Sequence, residues 1–501
     1  MITNIMVWMK NRKAGEKMAR NDISMEQIIK EAEQEIELIC STTGQAYIRA
    51  ANEKEGMRLI AVESESFQQW FRSYCYDGYG IILPSGGHIQ AQAHIKMLAK
   101  RNGKRSRIHK RIYAKTDTVY YDLGRNDGKY LKITADGVRM AKNSHILFQR
   151  SELFAPQVEP EMQQVCAGDV KYFIAQHFNF HSETDQILFA AFLAGCFFGK
   201  QFSKPVLEVY GQKASAKSTC LKRVQNLIDP LTVNPLFSMP KRENEVAMCL
   251  AAEYMVCFDN ISFISQNTSD LICRNCTGGS QVKRKLFTDD SRSILEPDAV
   301  VCFNSTRQCI VRSDLADRAI FLELARISPE KMQGDKELQK KREDDLPFFF
   351  GALCQAVSGI LGDKKPAVNY SPVRLVDFYE MAVKAGRQIG YKEEQVHEAF
   401  CTNRKKINDS LVSGNILLTV LEGYMSQKGM EEGLKAKVSE FYREMKLYAL
   451  EEYGIDGRRF PGAPEVMTRR MSENRSNLED IGIFYDVRKG KDARYIEIWK
   501  E

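Results

Sequence analysis

Apolar positions follow two rhythms along the chain, and the switches between them divide it. Ser24 followed by Gln27 resembles a capping box, and Ile28, Ile29, Ala32, Ile36 and Ile39 then recur at helical spacing. From Tyr47 to about Met140 the pattern changes to short segments broken by glycine. There the apolar stretches 119–123 and 130–133 flank the turn residues Asn126, Asp127 and Gly128 and predict a hairpin. Residues 145–200 read as helical, through Tyr172, Phe173, Ile174 and Phe178. The apolar run 187–198 is too short to span a bilayer and predicts a buried helix. Four runs of central-strand length follow: 206–210, 254–258, 299–303 and 319–324. The second ends in Asp259 and the third in Asn304, polar residues at the carboxyl edge, where open α/β sheets bind ligands.

Beyond the strands, the charged segment 329–342 leads into helical patterning over 372–450, with Ser371, Pro372, Val373 and Arg374 at its start. Phe460-Pro461-Gly462-Ala463-Pro464 marks a boundary. Residues 464–474 then predict a helix carrying Arg469 and Arg470, followed by 477–481. Residues 483–487 and 495–499 predict a hairpin around Lys489, Gly490 and Lys491. Helix then two-stranded wing is the order of a winged-helix module, which places Arg469, Arg470 and Arg475 against a DNA backbone. A protein-contacting wing is the alternative.

The first strand carries the sharpest candidate chemistry. It stops at Gly211, and Gln212, Lys213, Ala214, Ser215, Ala216, Lys217, Ser218 and Thr219 lead into helical spacing at Leu221, Val224 and Leu227. A strand, loop and helix in this order suit phosphate: backbone N–H groups cradle oxygens, a lysine reaches the β/γ-phosphates and a hydroxyl ligates Mg²⁺. Lys217 and Ser218 fit the last two roles. Ala214 and Ala216 stand where glycines are usual, and a Cβ at 214 suits a loop that avoids positive φ there. A surface turn in an ordinary α/β unit is the competing account.

Composition narrows the picture. The 501 residues exceed one compact core, and 44% apolar with 27% charged residues is ordinary globular composition. The 72 Lys and Arg against 65 Asp and Glu leave a formal charge of only +7, so nucleic-acid contact rests on local clusters. The stretch 96–111 is one, with Lys100, Arg101, Lys104, Arg105, Arg107, Lys110 and Arg111. It reads either as a solvated face or as a contact for a phosphate backbone. His88, His94 and His109 read as structural. The 13 cysteines form no framework, and Cys273 with Cys276 lacks the second pair a closed zinc site needs. With no leader pattern at the start and no membrane span, a reducing cytoplasm is the expected compartment.

Residues 211–218, with the strands ending in Asp259 and Asn304, resemble the AAA+ class of ring-forming ATPases. The branch is that of minichromosome-maintenance helicases and of replication helicases carried by phages and staphylococcal cassette-type mobile elements. Alanine before the lysine is usual in that branch. The resemblance implies an α/β P-loop ATPase core with a helical lid, an N-terminal α+β domain and a C-terminal winged-helix domain. Residues 1–45 are a basic lead-in and helix, 46–150 an α+β accessory domain, 151–330 the core, 331–450 the lid and linker, and 451–501 the winged-helix-like domain.

The same resemblance implies ATP and Mg²⁺ as cofactors, with Lys217 and the loop on phosphate and Ser218 and Asp259 on the metal. It implies that Asn304 senses the γ-phosphate, Arg318 is a finger for the neighbouring subunit, and Arg374 is a second sensor. Asn260 departs from the glutamate usual after such an aspartate. It orients water, or Glu243 or Glu245 serves as base, or hydrolysis is slow. Lys283, Arg284 and Lys285 fall on a hairpin that projects into the pore in related helicases. A solvated hairpin is the alternative. The implied function is an ATP-dependent DNA helicase, a homo-oligomer in a hexameric ring, acting with replication partners for a phage or mobile element. The alternatives are a DNA-bound switch or loader that assembles without unwinding, and a host-defence ATPase.

Overall fold

A computed structural model of the chain describes residues 23–52, 56–125, 127–142, 145–278, 281–284, 292–328, 335–368, 374–427, 433–455, 460–490 and 492–501. The basic lead-in over residues 1–20, Asn126, Lys285, residues 329–334, Ser371 to Val373 and Lys491 lie outside them. The chain divides into two compact units.

The smaller unit runs up to Arg111 and takes in Gly124–Tyr130 and Ala141–Arg150. Helix α1 (Met25–Gln34) opens on the predicted capping box, with Ser24 and Gln27 bonding reciprocally. It stops five residues before Ile39, because the β-favouring run from Glu37 pairs instead as strand β1 (Glu37–Ser41). The helical stripe expected through Ile39 is therefore shorter. Strands β2 (Ala46–Asn52), β3 (Gly56–Ala61) and β4 (Lys104–Ser106) complete a sheet in the order β3-β2-β1-β4, with β4 parallel to β1 at one edge. Helices α2 (Glu65–Tyr79) and α3 (Ile89–Asn102) bury Phe67, Phe71, Ile95 and Ala99 in one cluster with Ile48 and Ile60.

The larger unit comprises Ile112–Leu123, Leu131–Met140 and Ser151–Glu501. The predicted hairpin forms, with Val119 opposite Ile133 and Tyr121 opposite Leu131. Its buried residues Val119, Tyr121, Leu131 and Ile133 join the same apolar cluster as Leu207 and Val209. Packing thus splits the stretch 46–150 drawn as one accessory domain. Helical structure begins at α4 (Asp169–His177), later than the expected 145, and continues in α5 (Glu183–Gly195), which is buried from Ile187 onward.

Five parallel strands form the central sheet: β5 (Val206–Tyr210), β6 (Leu236–Phe237), β7 (Met255–Phe258), β8 (Val300–Ser305) and β9 (Ala319–Glu323), in the order β6-β7-β8-β5-β9. Strand alternation sends Leu207 and Val209 into one cluster and Val206 into another with Phe258, Phe303 and Phe321. Both faces are covered, as uninterrupted apolar strands require. Helix α6 (Lys217–Ile228) follows β5, while α7 (Glu243–Ala252) and α8 (Gln266–Thr277) flank β7.

The short helix α9 (Ser313–Ala316) precedes β9, and after that strand the long helix α10 (Asp335–Gly362) contains a stretch, Gln339–Gly362, long and apolar enough to cross a membrane. Its second half is largely buried here, with Phe350, Leu353 and Val357 in the main cluster. Helices α11 (Val376–Ile389) and α12 (Glu393–Gly414) pack on α5. A separate cluster runs from Leu417 to Ile498. It joins α13 (Ile416–Gln427), strand β10 (Leu434–Lys437), α14 (Val438–Tyr453), α15 (Pro464–Glu473), α16 (Arg475–Asp480) and the hairpin β11 (Ile483–Lys489) and β12 (Arg494–Lys500). The boundary drawn at 450 falls inside this cluster, since Met445 and Ala449 pack with Met467 and Ile498.

Candidate functional site at the carboxyl edge of the central sheet

Strand β5 delivers the loop 211–216 to the sheet's carboxyl edge, and α6 starts at Lys217. Gly211 is needed for space: a Cβ there would sit 2.7 Å from the Leu324 carbonyl oxygen. Ala214 (φ +63°) and Ala216 (φ +59°) are both left-handed. This corrects the expectation that a Cβ at 214 avoids positive φ. The loop keeps the backbone a glycine would allow, at about 1–2 kcal/mol per residue. What holds it is a set of bonds. Buried Ser215 donates to the Gln212 carbonyl at 2.9 Å, and Ile327 N–H donates to the Ala214 carbonyl at 3.0 Å. Asn179 Nδ2 bonds the carbonyls of Ser215 at 3.2 Å and Ala325 at 2.6 Å. Gln212 and Lys213 are exposed, and Thr219 is half-buried in the first turn of α6.

Lys217 Nζ folds back to donate to the carbonyls of Gly211 and Gln212, each at 2.8 Å. Burial lowers its pKa, and the nearby Asp259 charge pulls the other way. Asp259, just past β7, accepts from Ser218 Oγ at 2.8 Å and from Asn304 Nδ2 at 2.5 Å on the same oxygen. Asn304 is 2% exposed and lies within β8, one residue before its end at Ser305, so the strand runs past the edge at Asn304 that the sequence predicts. Its Oδ1 accepts the Asn260 backbone N–H at 2.6 Å. Lys217, Ser218, Asp259, Asn260 and Asn304 are thus brought together by three strands in adjacent register.

Asn260 is exposed and left-handed (φ +55°), a conformation asparagine tolerates better than most residues. Among the described residues, the only non-glycine positions with positive φ are Ala214, Ala216 and Asn260. Backbone strain is therefore concentrated at this one edge. Of the carboxylates weighed as alternative bases, Glu243 is engaged by Arg274 at 3.0 Å, and Glu245 lies 3.7 Å from Arg242.

Sequence reasoning missed two residues. Asn179 gives no signal in the pattern. Glu208 stands fully buried in β5 and accepts from Ser305 Oγ and Cys309 N–H, both at 2.7 Å, and from Ile310 N–H at 3.2 Å. It ties the segment after Asn304 to the strand before the loop. Its sequence signal is a charged residue inside an apolar strand run.

Arg318 and Arg374 are not brought to this cluster. The Arg318 carbonyl accepts the Val206 N–H at 2.8 Å, which puts Arg318 at the amino edge, about 17 Å of strand away from Gly211. Its guanidinium donates to the Asp314 carbonyl. Arg374 precedes α11 and reaches the same edge, 2.8 Å from Asp317 and 3.8 Å from Asp314. A cavity of about 440 Å³ opens beside it, lined by Arg374, His397, Cys401, Arg404 and Asp480 among others.

Of the predicted DNA contacts, Lys283 and Arg284 lie on a strand, Gln281–Arg284, paired antiparallel with Arg292–Leu295. Arg469 and Arg470 are exposed on α15, and Arg469 is 3.7 Å from Glu473. Arg475 bonds Glu479 at 3.0 Å and lies over the Tyr485 ring, so it is partly committed within the chain. Cys273 and Cys276 are free thiols with pKa values raised by burial. Among the described residues, no three His, Cys, Asp or Glu side chains gather as a metal cluster.

Residues 173–399 match a family described as Actinomycete integrative conjugative element replication protein. No curated protein matches the chain. Among solved structures, the A form apo structure of the NrS-1 C terminal region is similar at 9% identity and TM-score 0.42, covering 95% of this chain and 98% of that one. The apo structure of the NrS-1 C terminal region (305-718) has the same coverage, 11% identity and a TM-score of 0.38. The matched stretch begins in α4 and contains the whole central sheet. The chain thus holds a mixed α/β region similar, at the level of family and fold, to replication proteins of mobile elements.

Proposed function

We propose that the chain is an ATP-driven, ring-forming DNA helicase serving replication of a phage or mobile element. The observation that carries this reading is the shared Asp259 oxygen, bonded by Ser218 Oγ and Asn304 Nδ2 at the mouth of the loop 211–216. The family match over 173–399 supports replication as the setting. A parallel sheet delivering a loop, an aspartate and an asparagine to one edge supports the AAA+ assignment.

The residues fit the implied cofactors. Ser218 Oγ and the Asp259 carboxylate are hard oxygen donors within 2.8 Å of each other, the set Mg²⁺ takes together with phosphate oxygens and water. Such a site needs no larger carboxylate cluster. When bound, Mg²⁺–ATP supplies the phosphoryl group, with the ion offsetting charge on the β/γ-oxygens. Lys217, now on loop carbonyls, exchanges these for phosphate. Asn304 orients Asp259 and the backbone at Asn260. Arg318 and Arg374 complete the site of a neighbouring copy in a hexameric ring, which accounts for their place at the opposite edge. Lys283, Arg284, Lys285, Arg469 and Arg470 are the proposed DNA contacts of the ring.

Asn260 favours a second reading, a switch or loader that assembles on nucleotide without unwinding. An amide takes no proton from water. One sample decides between them: sizing with and without ATP, then ATP turnover and unwinding on forked DNA. The helicase reading expects nucleotide-dependent assembly, DNA-stimulated turnover, strand separation, and loss of all turnover in Lys217→Ala. Assembly without strand separation selects the loader, and no turnover under any condition overturns the ATPase.

A further inference from the structure

The basic stretch in the smaller unit is not used by the central sheet, and the structure sorts its residues. Arg111 is 1% exposed, Lys110 is half-buried, and Lys96 is held by Glu63 at 2.6 Å. Lys100, Arg101, Lys104, Arg105 and Arg107 are all exposed. Residues 97–111 contain seven Lys or Arg and no Asp or Glu.

Two local features gather the five exposed cations. Gly103 makes the corner between α3 and β4, where a Cβ would sit 2.2 Å from the Ala99 carbonyl oxygen and 3.1 Å from Cys40 N. Only glycine lets the helix end and strand approach so closely, so Lys100 and Arg101 in the last turn of α3 are followed at once by Lys104 and Arg105. Strand β4 is also the edge of its sheet, aligned with β1 from Ile39 opposite Lys104 to Ser41 opposite Ser106. Among the described residues no strand lies beyond it, so its outer N–H groups stand beside the cations.

Two ordinary causes account for part of this. Cations suit a helix carboxyl end, and a lysine on an edge strand blocks sheet extension. Each cause calls for one or two charges. Five in eight residues, with no acid among them, repel one another unless a polyanion relieves the repulsion. Spacing agrees: three residues of strand cover about 10 Å, close to three phosphate steps of about 3.4 Å along the axis of one strand of a duplex.

We propose that this edge, Lys100, Arg101, Lys104, Arg105 and Arg107, is a further DNA contact surface that holds the phosphodiester backbone without reading bases. It rests on the reading that the chain works on DNA, but it needs neither ATP nor the hairpin at Lys283. Cations and edge N–H groups satisfy phosphate oxygens, and no side chain in the set is specialised for a base edge. Single-stranded and duplex DNA share the chemistry it recognises.

The test uses the full chain without nucleotide. Anisotropy of labelled DNA, single-stranded and duplex, is followed from about 50 to 300 mM salt for the wild type and for a variant with all five residues changed to Gln. Loss of five phosphate contacts makes the log–log salt slope shallower by about 3–5 and weakens binding at least about tenfold at low salt. Arg101→Lys, Arg105→Lys and Arg107→Lys together keep the charge and keep the slope. Circular dichroism melting and DNA-free ATP turnover check that the Gln variant is folded.

An unchanged slope and affinity in the folded Gln variant overturns the proposal. So does tighter binding to RNA of equal length, or to phosphatidylglycerol vesicles, than to DNA. Failure of the motor reading looks different: no turnover, with the wild-type salt slope intact.

Discussion

The two edges of the central sheet are made of the same five strands, yet one is closed by short bonds among its own residues and the other carries guanidinia held by exposed partners. At the carboxyl edge, Ser218, Asp259, Asn260 and Asn304 satisfy one another, and Lys217 is held by loop carbonyls. At the amino edge, among the described residues, Arg318 bonds the Asp314 carbonyl and Arg374 pairs with Asp314 and Asp317, at half-exposed positions where ion pairs are worth little. The first arrangement is built to keep its shape. The second is held weakly enough for its cations to change partners. The head-to-tail ring proposed above would bring the closed edge of one copy to the loosely held guanidinia of the next.

Mixing subunits is the strongest test of that contrast. Arg318→Ala alone should lose about 10³–10⁵ in ATP turnover, and Lys217→Ala should lose all of it. If the edges meet across a boundary, the Lys217→Ala chain lends its Arg318 to the intact loop of the other. An equimolar mixture then regains about a quarter of wild-type turnover. Measured turnover in the mixture no higher than in either variant would mean that the two edges never meet, and the comparison would fail.

Glu208 tests whether the closed edge is braced from within. Glu208→Ala leaves Ser305 Oγ and the N–H groups of Cys309 and Ile310 without their acceptor and should cost about 3 kcal/mol, read by urea unfolding. Burial raises the Glu208 pKa, against the lowering effect of those bonds. The folded state therefore holds this proton more tightly than the unfolded one. Its contribution is fully favourable below the unfolded carboxyl value of about 4.3 and is lost as pH rises through the folded value. Glu208→Gln should flatten that part of the pH–stability curve, and an unchanged curve would exclude Glu208 as its source.

Asn260 separates backbone from chemistry at the same edge. Asn260→Gly keeps the left-handed conformation, so stability should move by less than about 1 kcal/mol. If the amide orients water, turnover should fall about tenfold with little change in KM. A turnover equal to wild type would leave Asn260 with a backbone role alone.

The closed edge was the more legible of the two in sequence. Strand runs ending in Asp259 and Asn304 and the stretch from Gly211 to Ser218 are local patterns, and local patterns survive folding. Partnerships across the chain left no such trace. Asn179 reaches Ser215 from 36 residues away and Glu208 reaches Cys309 from 101, so no window of sequence holds both ends. Packing across such limits is hidden for a related reason: the strand 118–121 is locally part of a glycine-broken β region, but its buried face belongs to the cluster around β5. Arg111 was grouped with six exposed or half-buried neighbours, because its burial depends on packing that charge patterning does not register.

The smallest effect concerns Ala214 and Ala216, which were expected to mark a loop free of positive φ and instead adopt it. Changing both to glycine removes about 1–2 kcal/mol of strain at each position from the folded state. It also gives the unfolded chain more freedom, at about 0.4–1 kcal/mol per site. The two terms partly cancel, so urea unfolding should show a net gain of about 0–3 kcal/mol for the pair. Ala214→Val separates the terms, since a β-branched side chain at φ +63° adds strain without adding freedom to the unfolded chain. It should be less stable than wild type while the double glycine variant is not. Equal destabilisation by both would mean that the loop holds its shape through the alanine methyl groups and that the strain lies elsewhere.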